Sequence, residues 1–195
     1  MIIMAKKHEF RPDKPRATLL SHLLLTQKQQ KTALKWLMYA LVLLILSVIQ
    51  DVLLSQVRIF GATTELVPCA IFLICVLEGA QSGCIFALVA ALLYLFSGTA
   101  PGPYSMVAIT FLSIGVSVLR QAYLQTSFLA ALLCTFLAMF LYLMVNFLFG
   151  LFLDLTLLAR FHGFLVTAVL SVVCVPVLYP ICKAIGTIGG QAWKE

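Results

Sequence analysis

Three carboxylates, Asp51, Glu78 and Asp154, stand at the edges of long apolar runs, and Asn146 stands inside one. An ionised side chain at the centre of a bilayer costs at least ~2.5–3.5 kcal/mol on insertion scales, so position decides what such a group means. Asp51 lies about one turn from the end of its run, Glu78 precedes the turn Gly79–Gly83, and Asp154 closes the run before it. Solvation at a helix end is the first reading of each. A subunit contact or a polar network is the second, with Asp51 and Arg58 as one conceivable pair. Asn146 calls for a hydrogen-bond partner, worth roughly 0.6–2 kcal/mol between helices in lipid, either within the chain or across an interface. His162, two residues after Arg160 at a helix start, reads as interfacial rather than catalytic.

These groups do not form a reaction centre by their spacing. The chain has no phosphate-cradling glycine loop, nucleophile elbow or HExxH, and no carboxylate pair facing a histidine base. It also lacks the paired glycine-broken, ion-binding spans of many secondary transporters. The six cysteines at 69, 75, 84, 134, 174 and 182 form no CxxC and keep no metal-ligand spacing to a histidine. They read as small apolar core residues, and no metal or other cofactor is expected. The first function class is non-enzymatic, and a membrane enzyme acting on lipid ranks third, behind a scaffold and a transporter subunit.

The elements that must position these side chains are helices in lipid. Of 195 residues 63% are hydrophobic and 10% charged, with mean hydropathy +1.08. Too little polar surface remains to cover a soluble domain of this size. The apolar runs lack the period-two alternation of barrel strands, so bilayer physics requires helices. The fold class is an all-α polytopic integral membrane protein with about six spans: 33–55, 66–77, 84–96, 104–119, 128–153 and 163–184. The second and third runs are short, about 18–20 Å of helix. They are read as a two-span hairpin, with re-entrant segments or a protein-enclosed hairpin as alternatives. Pro176 and Pro180 predict a kink in the last span. Lys35 and Trp36 read as interfacial anchors of the first.

Charge placement orients the layout. Eight of the thirteen Lys and Arg residues lie at or before Lys35. With the N-terminus inside, inner segments carry eleven and outer loops two, Arg58 and Arg160, which favours an N-in, C-in topology in the inner membrane. Residues 1–32 form a basic cytoplasmic tail, with an interfacial helix expected over 19–35 and anionic lipid as its partner. No aromatic interleaving or recognition motif points to nucleic acid, and the tail carries no signal-peptide pattern. The transmembrane domain occupies 33–185, and 186–195 is a short cytoplasmic end. Ala87, Ala90 and Ala91 in the third run, and Ser113 and Ser117 with Gly115 in the fourth, are small-residue faces for close packing, inside the chain or against a partner helix. Between those runs, "LLYLFSGTAPGPYSM" places Gly98, Pro101, Gly102 and Pro103 in a well-specified reversal on the outer side.

Three stretches together resemble the MreD family of bacterial rod shape-determining membrane proteins. "QDVLLSQVRIFGATTEL", with Asp51, Gly61, Glu65 and Leu66, resembles the end of the family's first span. Thr64 stands where the family has proline. "GCIFALVAALLYLFSGTAPGPYSM" resembles its Gly-rich third span and following turn, with Leu95 where an aspartate is frequent. Arg120 resembles the basic close of the fourth span. The resemblance covers about 37–185. It implies a scaffold of cell-wall elongation that binds MreC, and through it a SEDS polymerase and its transpeptidase, with MreB acting indirectly. An energy-coupling-factor substrate-binding subunit for a vitamin has similar length and topology. However, the Ala-x-x-x-Ala face of that class is missing from the first span, where Ala33 and Ala40 stand seven apart.

Overall fold

A computed structural model describes residues 27–54, 56, 62–98, 100–123 and 127–188. They form seven helices: α1 (Gln27–Ile49), α2 (Leu66–Glu78), α3 (Ala80–Phe96), α4 (Pro103–Tyr123), α5 (Phe128–Phe152), α6 (Phe161–Val173) and α7 (Val175–Ile188). A π-helical turn, Gln50–Leu54, extends α1, and a 3₁₀ turn, Leu158–Arg160, precedes α6. Stretches of α1 with its π turn, of α4 and of α5 are long and apolar enough to cross a membrane, and α6 with α7, bent by 46°, make a fourth if counted as one span. The expected interfacial helix over 19–35 lies largely outside the described residues. From Gln27 on it is continuous with α1, which therefore begins six residues before the expected start at Ala33.

The organising element is α2. Its sequence LVPCAIFLICVLE is apolar on every side, the pattern of a helix surrounded by protein. Every residue from Leu66 to Val76 is buried, and α1, α3, α4, α5, α6 and α7 all pack against it. Thirteen residues rise only about 20 Å against a hydrocarbon core of about 30 Å. The enclosed alternative for the second run is therefore what the packing favours over a lipid-facing span.

A short helix inside such a bundle must have its open backbone groups bonded by neighbours, because no water solvates them there. At the N-terminal end of α2, Val67 N–H donates to Gln50 Oε1 at 2.9 Å and Glu65 N–H donates to Ser171 Oγ at 2.9 Å. The π turn brings Gln50 to this position, and Ser171 comes from the end of α6. At the C-terminal end, Arg120 Nη1 donates to the Val76 carbonyl at 2.6 Å and Ser117 Oγ to that of Cys75 at 3.1 Å. Arg120, expected as a basic helix close, thus caps a different helix.

The small-residue faces pack internally. Ala87, Ala90, Ala91, Ser113 and Ser117 are buried, whereas Gly115 has nothing within 4 Å of an added Cβ. Gly79 adopts φ +86° in the one-residue turn between α2 and α3, a conformation natural to glycine. The final kink falls at Cys174, two residues before Pro176. Proline lacks an N–H and clashes with the preceding turn, so helix continuity fails just upstream.

Candidate functional site: a polar cavity and a buried ion pair

Two polar clusters lie at opposite ends of α2. At its C-terminal end, Lys35 Nζ meets Glu78 Oε2 at 2.6 Å, with side chains 7% and 5% exposed. Tyr39 donates to Glu78 Oε1 at 2.8 Å, and its oxygen also lies 3.1 Å from the Cys182 carbonyl. Lys35 also sits 5.2 Å from the Trp36 ring centre, a cation–π contact. This corrects two expectations. Lys35 is not an exposed interfacial anchor, and Glu78 is not solvated at a helix end; together they form the polar network that was the second reading of Glu78. The cluster joins α1, α2 and α7. Each charge of the pair holds its counterpart, and the cluster ties the three helices together.

The other cluster is open. A cavity of about 760 Å³ is lined by Ala62, Glu65, Pro101, Tyr104, Asn146, Thr156, Arg160, His162 and Thr167, among others. It brings together five of the residues singled out in the sequence, Glu65, Pro101, Asn146, Arg160 and His162, from loops and helices up to 97 positions apart. The remaining candidates lie elsewhere. Gly98 holds φ +77° in the turn after α3 with open space around it. Asp51 is half-buried in the π turn, Arg120 caps α2, and Gly61 lies outside the described residues, as does Arg58.

Asn146 is 5% exposed, and no other helix bonds its amide among the described residues. The amide lies instead beside the Tyr142 hydroxyl, one turn back in α5. Glu65 Oε2 and Thr156 Oγ1 are sealed from solvent and unpartnered among the described residues. Leaving such a group unsatisfied costs about 1–3 kcal/mol. Glu65 sits in the extended stretch before α2, and burial pushes its carboxyl up to about 7. Near neutral pH its protonated form is well populated and can donate as well as accept. Arg160 and His162 stand exposed around the first turn of α6, where the helix N-terminus adds partial positive charge.

The cavity wall depends on close backbone approaches. The Gly150 carbonyl accepts from Leu155 N–H at 2.8 Å and Thr156 N–H at 3.2 Å, which folds the loop over the end of α5. A Cβ on Gly150 would sit 2.9 Å from Thr156 Oγ1. Tyr104 stacks on Phe149 with ring centres 4.9 Å apart, and a Cβ on Gly102 would lie 2.6 Å from the Tyr104 ring. Gly102→Val is therefore expected to drive Tyr104 off Phe149. Circular dichroism melting of the purified variant should show a loss of about 1–3 kcal/mol from overpacking, with near-ultraviolet signal changed at the tyrosine.

Sequence reasoning missed Gln50, Ser171, Thr156 and Tyr104. Only Gln50 left a trace there, as a polar residue closing an apolar run. No family model, curated protein or solved structure matches the chain.

Proposed function

We propose that this chain is a non-enzymatic membrane scaffold of the MreD type, acting in rod shape and peptidoglycan elongation. It crosses the inner membrane six times with both ends inside, and it holds an MreC-like protein. SEDS polymerase and transpeptidase join through that partner, and MreB acts indirectly. The observation that carries the reading is convergence on α2 of the three stretches that bear the resemblance. Gln50 and Glu65 meet its N-terminal end, Pro101 and Tyr104 line the cavity beyond, and Arg120 binds its C-terminal carbonyls. What looks in sequence like three loose motifs is in space one assembly around a central helix.

The six-pass layout is supported by the sorting of polar contacts. Lys35, Glu78, Arg120 and Cys182 gather at one end. Pro101, Gly150 and Arg160 gather at the cavity, so successive elements run in alternating directions. The basic tail, with anionic lipid as its partner, belongs to the first end by the charge rule. Depleting the protein from rod-shaped cells is expected to round or widen them, scored by cell width under the microscope; unchanged width would count against the scaffold. The cavity favours one second reading, a substrate-binding subunit of an energy-coupling-factor transporter. Co-purification with paired ATPase subunits would select it.

A further inference from the structure

We propose that the connection between α5 and α6 is a membrane-inserted wedge. Its apolar side chains sit among the upper acyl chains of the leaflet at the cavity end, while Asp154 and Arg160 stay among the lipid headgroups. The inference concerns lipid contact of the purified chain and does not rest on the scaffold reading.

Connections that lie in water are ordinarily polar. This one is not. Phe152, Leu153, Leu155, Leu157 and Leu158 are between 52% and 86% exposed, and all five fall within one short stretch. A contiguous apolar patch of this kind marks contact with a membrane or with a partner. At the opposite end of the bundle, Gln29, Gln81, Gln121 and Thr187 are the exposed side chains close to helix ends.

Two observations select lipid. The first is continuity with surfaces that face it. Leu141, Leu148 and Phe152 make one exposed stripe along α5, which is long and apolar enough to span. Leu165, Val169 and Val173 make another along α6. The connection runs from the end of the first stripe to the helix that carries the second. The other observation is the backbone. Irregular chain can leave water only where its N–H groups are bonded within the protein. Here four successive donors fold back onto α5. Leu153 N–H donates to the Phe149 carbonyl at 3.0 Å, Asp154 N–H to that of Leu151 at 3.2 Å, and Leu155 and Thr156 both to that of Gly150. Arg160 N–H closes the 3₁₀ turn on the Leu157 carbonyl at 2.9 Å.

The two charges set the depth. An ionised group in hydrocarbon is costly, so Asp154 and Arg160, both exposed, hold the segment between them at the interface. Arginine suits that level, with its stem along apolar surface and its guanidinium on lipid phosphate. The leucines reach the acyl boundary as those of an interfacial helix do. Leu155, Thr156 and Arg160 also line the cavity, so its mouth then opens beside the headgroups.

The test is fluorescence of the full chain in vesicles of phosphatidylethanolamine and phosphatidylglycerol, with an environment-sensitive fluorescent residue built in at Leu158. That side chain is mostly free of the fold, so its replacement keeps the packing; a label at Leu153 repeats the measurement. Emission is expected to shift to the blue and to be lost to lipids brominated near the top of the acyl chain. It should hold against iodide supplied on both sides of the vesicle. A label at Phe111, exposed in the middle of α4, gives the deep-lipid reference, and free label in buffer gives the water reference. Loss to iodide would place the connection in water, and loss to neither quencher would place it against protein. Either result overturns the proposal, as does a depth equal to that of Phe111. Cell shape plays no part in these readings, so failure here leaves the scaffold reading standing on its own test.

Discussion

Lys35→Ala lowers the stability of the bundle by about 3–5 kcal/mol, the largest single-residue effect expected in this chain. The reason is not the strength of the Lys35–Glu78 bond but the state it leaves behind. Both side chains are more than nine-tenths buried, so removing the ammonium leaves a buried carboxylate without its paired cation, held by the Tyr39 hydroxyl. At this chain length the melting midpoint should fall by roughly 10 °C. A second measurement isolates the mechanism. The double change Lys35→Met with Glu78→Leu removes both charges and keeps apolar volume, and should recover most of the loss. In that variant Tyr39 retains the Cys182 carbonyl as an acceptor. A double variant as unstable as the single one would show that the site needs charge rather than neutrality.

The second large effect belongs to Gly83. A Cβ there would lie 3.1 Å from both Cα and the carbonyl oxygen of Cys75. These are backbone atoms of the central helix, itself held at both ends, so neither can yield cheaply. Valine adds two further carbons to the collision. Gly83→Val is expected to cost at least about 1–3 kcal/mol as α3 is levered away from α2. The matched control is Gly115→Ala on the open face of α4, where the better helix former should be neutral or stabilising by up to about 1 kcal/mol. Melting curves of the two variants beside the parent protein give the comparison.

Most of the helix order was legible from apolar runs and punctuation. The fifth expected run, Phe128–Leu153, differs from α5 by one residue, and the second, Leu66–Leu77, differs from α2 by one. Gly79, the Gly98–Pro103 reversal and Pro176 marked the breaks because their backbone chemistry is local. What was not legible depends on which helix faces which. Lys35 and Glu78 are 43 positions apart, and nothing in either run's periodicity announces their pairing. Each group alone fits the simpler picture of a charge at a helix end. Asn146 was visible as a buried amide, but an amide bonded across helices and one set against its own helix at Tyr142 have the same sequence signature. The enclosure of α2 did have a signal, its all-round apolarity over only thirteen residues.

We propose further that the MreC-like partner docks at the cavity end of the bundle, the outer side by the charge rule, where the Gly98–Pro103 reversal lies. The most direct measurement is cross-linking in cells from a photoreactive residue placed at Pro101, Asp154 or Leu157, all exposed at that end. Ile181, exposed on α7 next to the Cys182 contact at the opposite end, serves as the control. The account predicts a covalent adduct with the MreC-like protein from at least one cavity-end position and none from Ile181. Full expression with no such adduct from any of the three positions would contradict it.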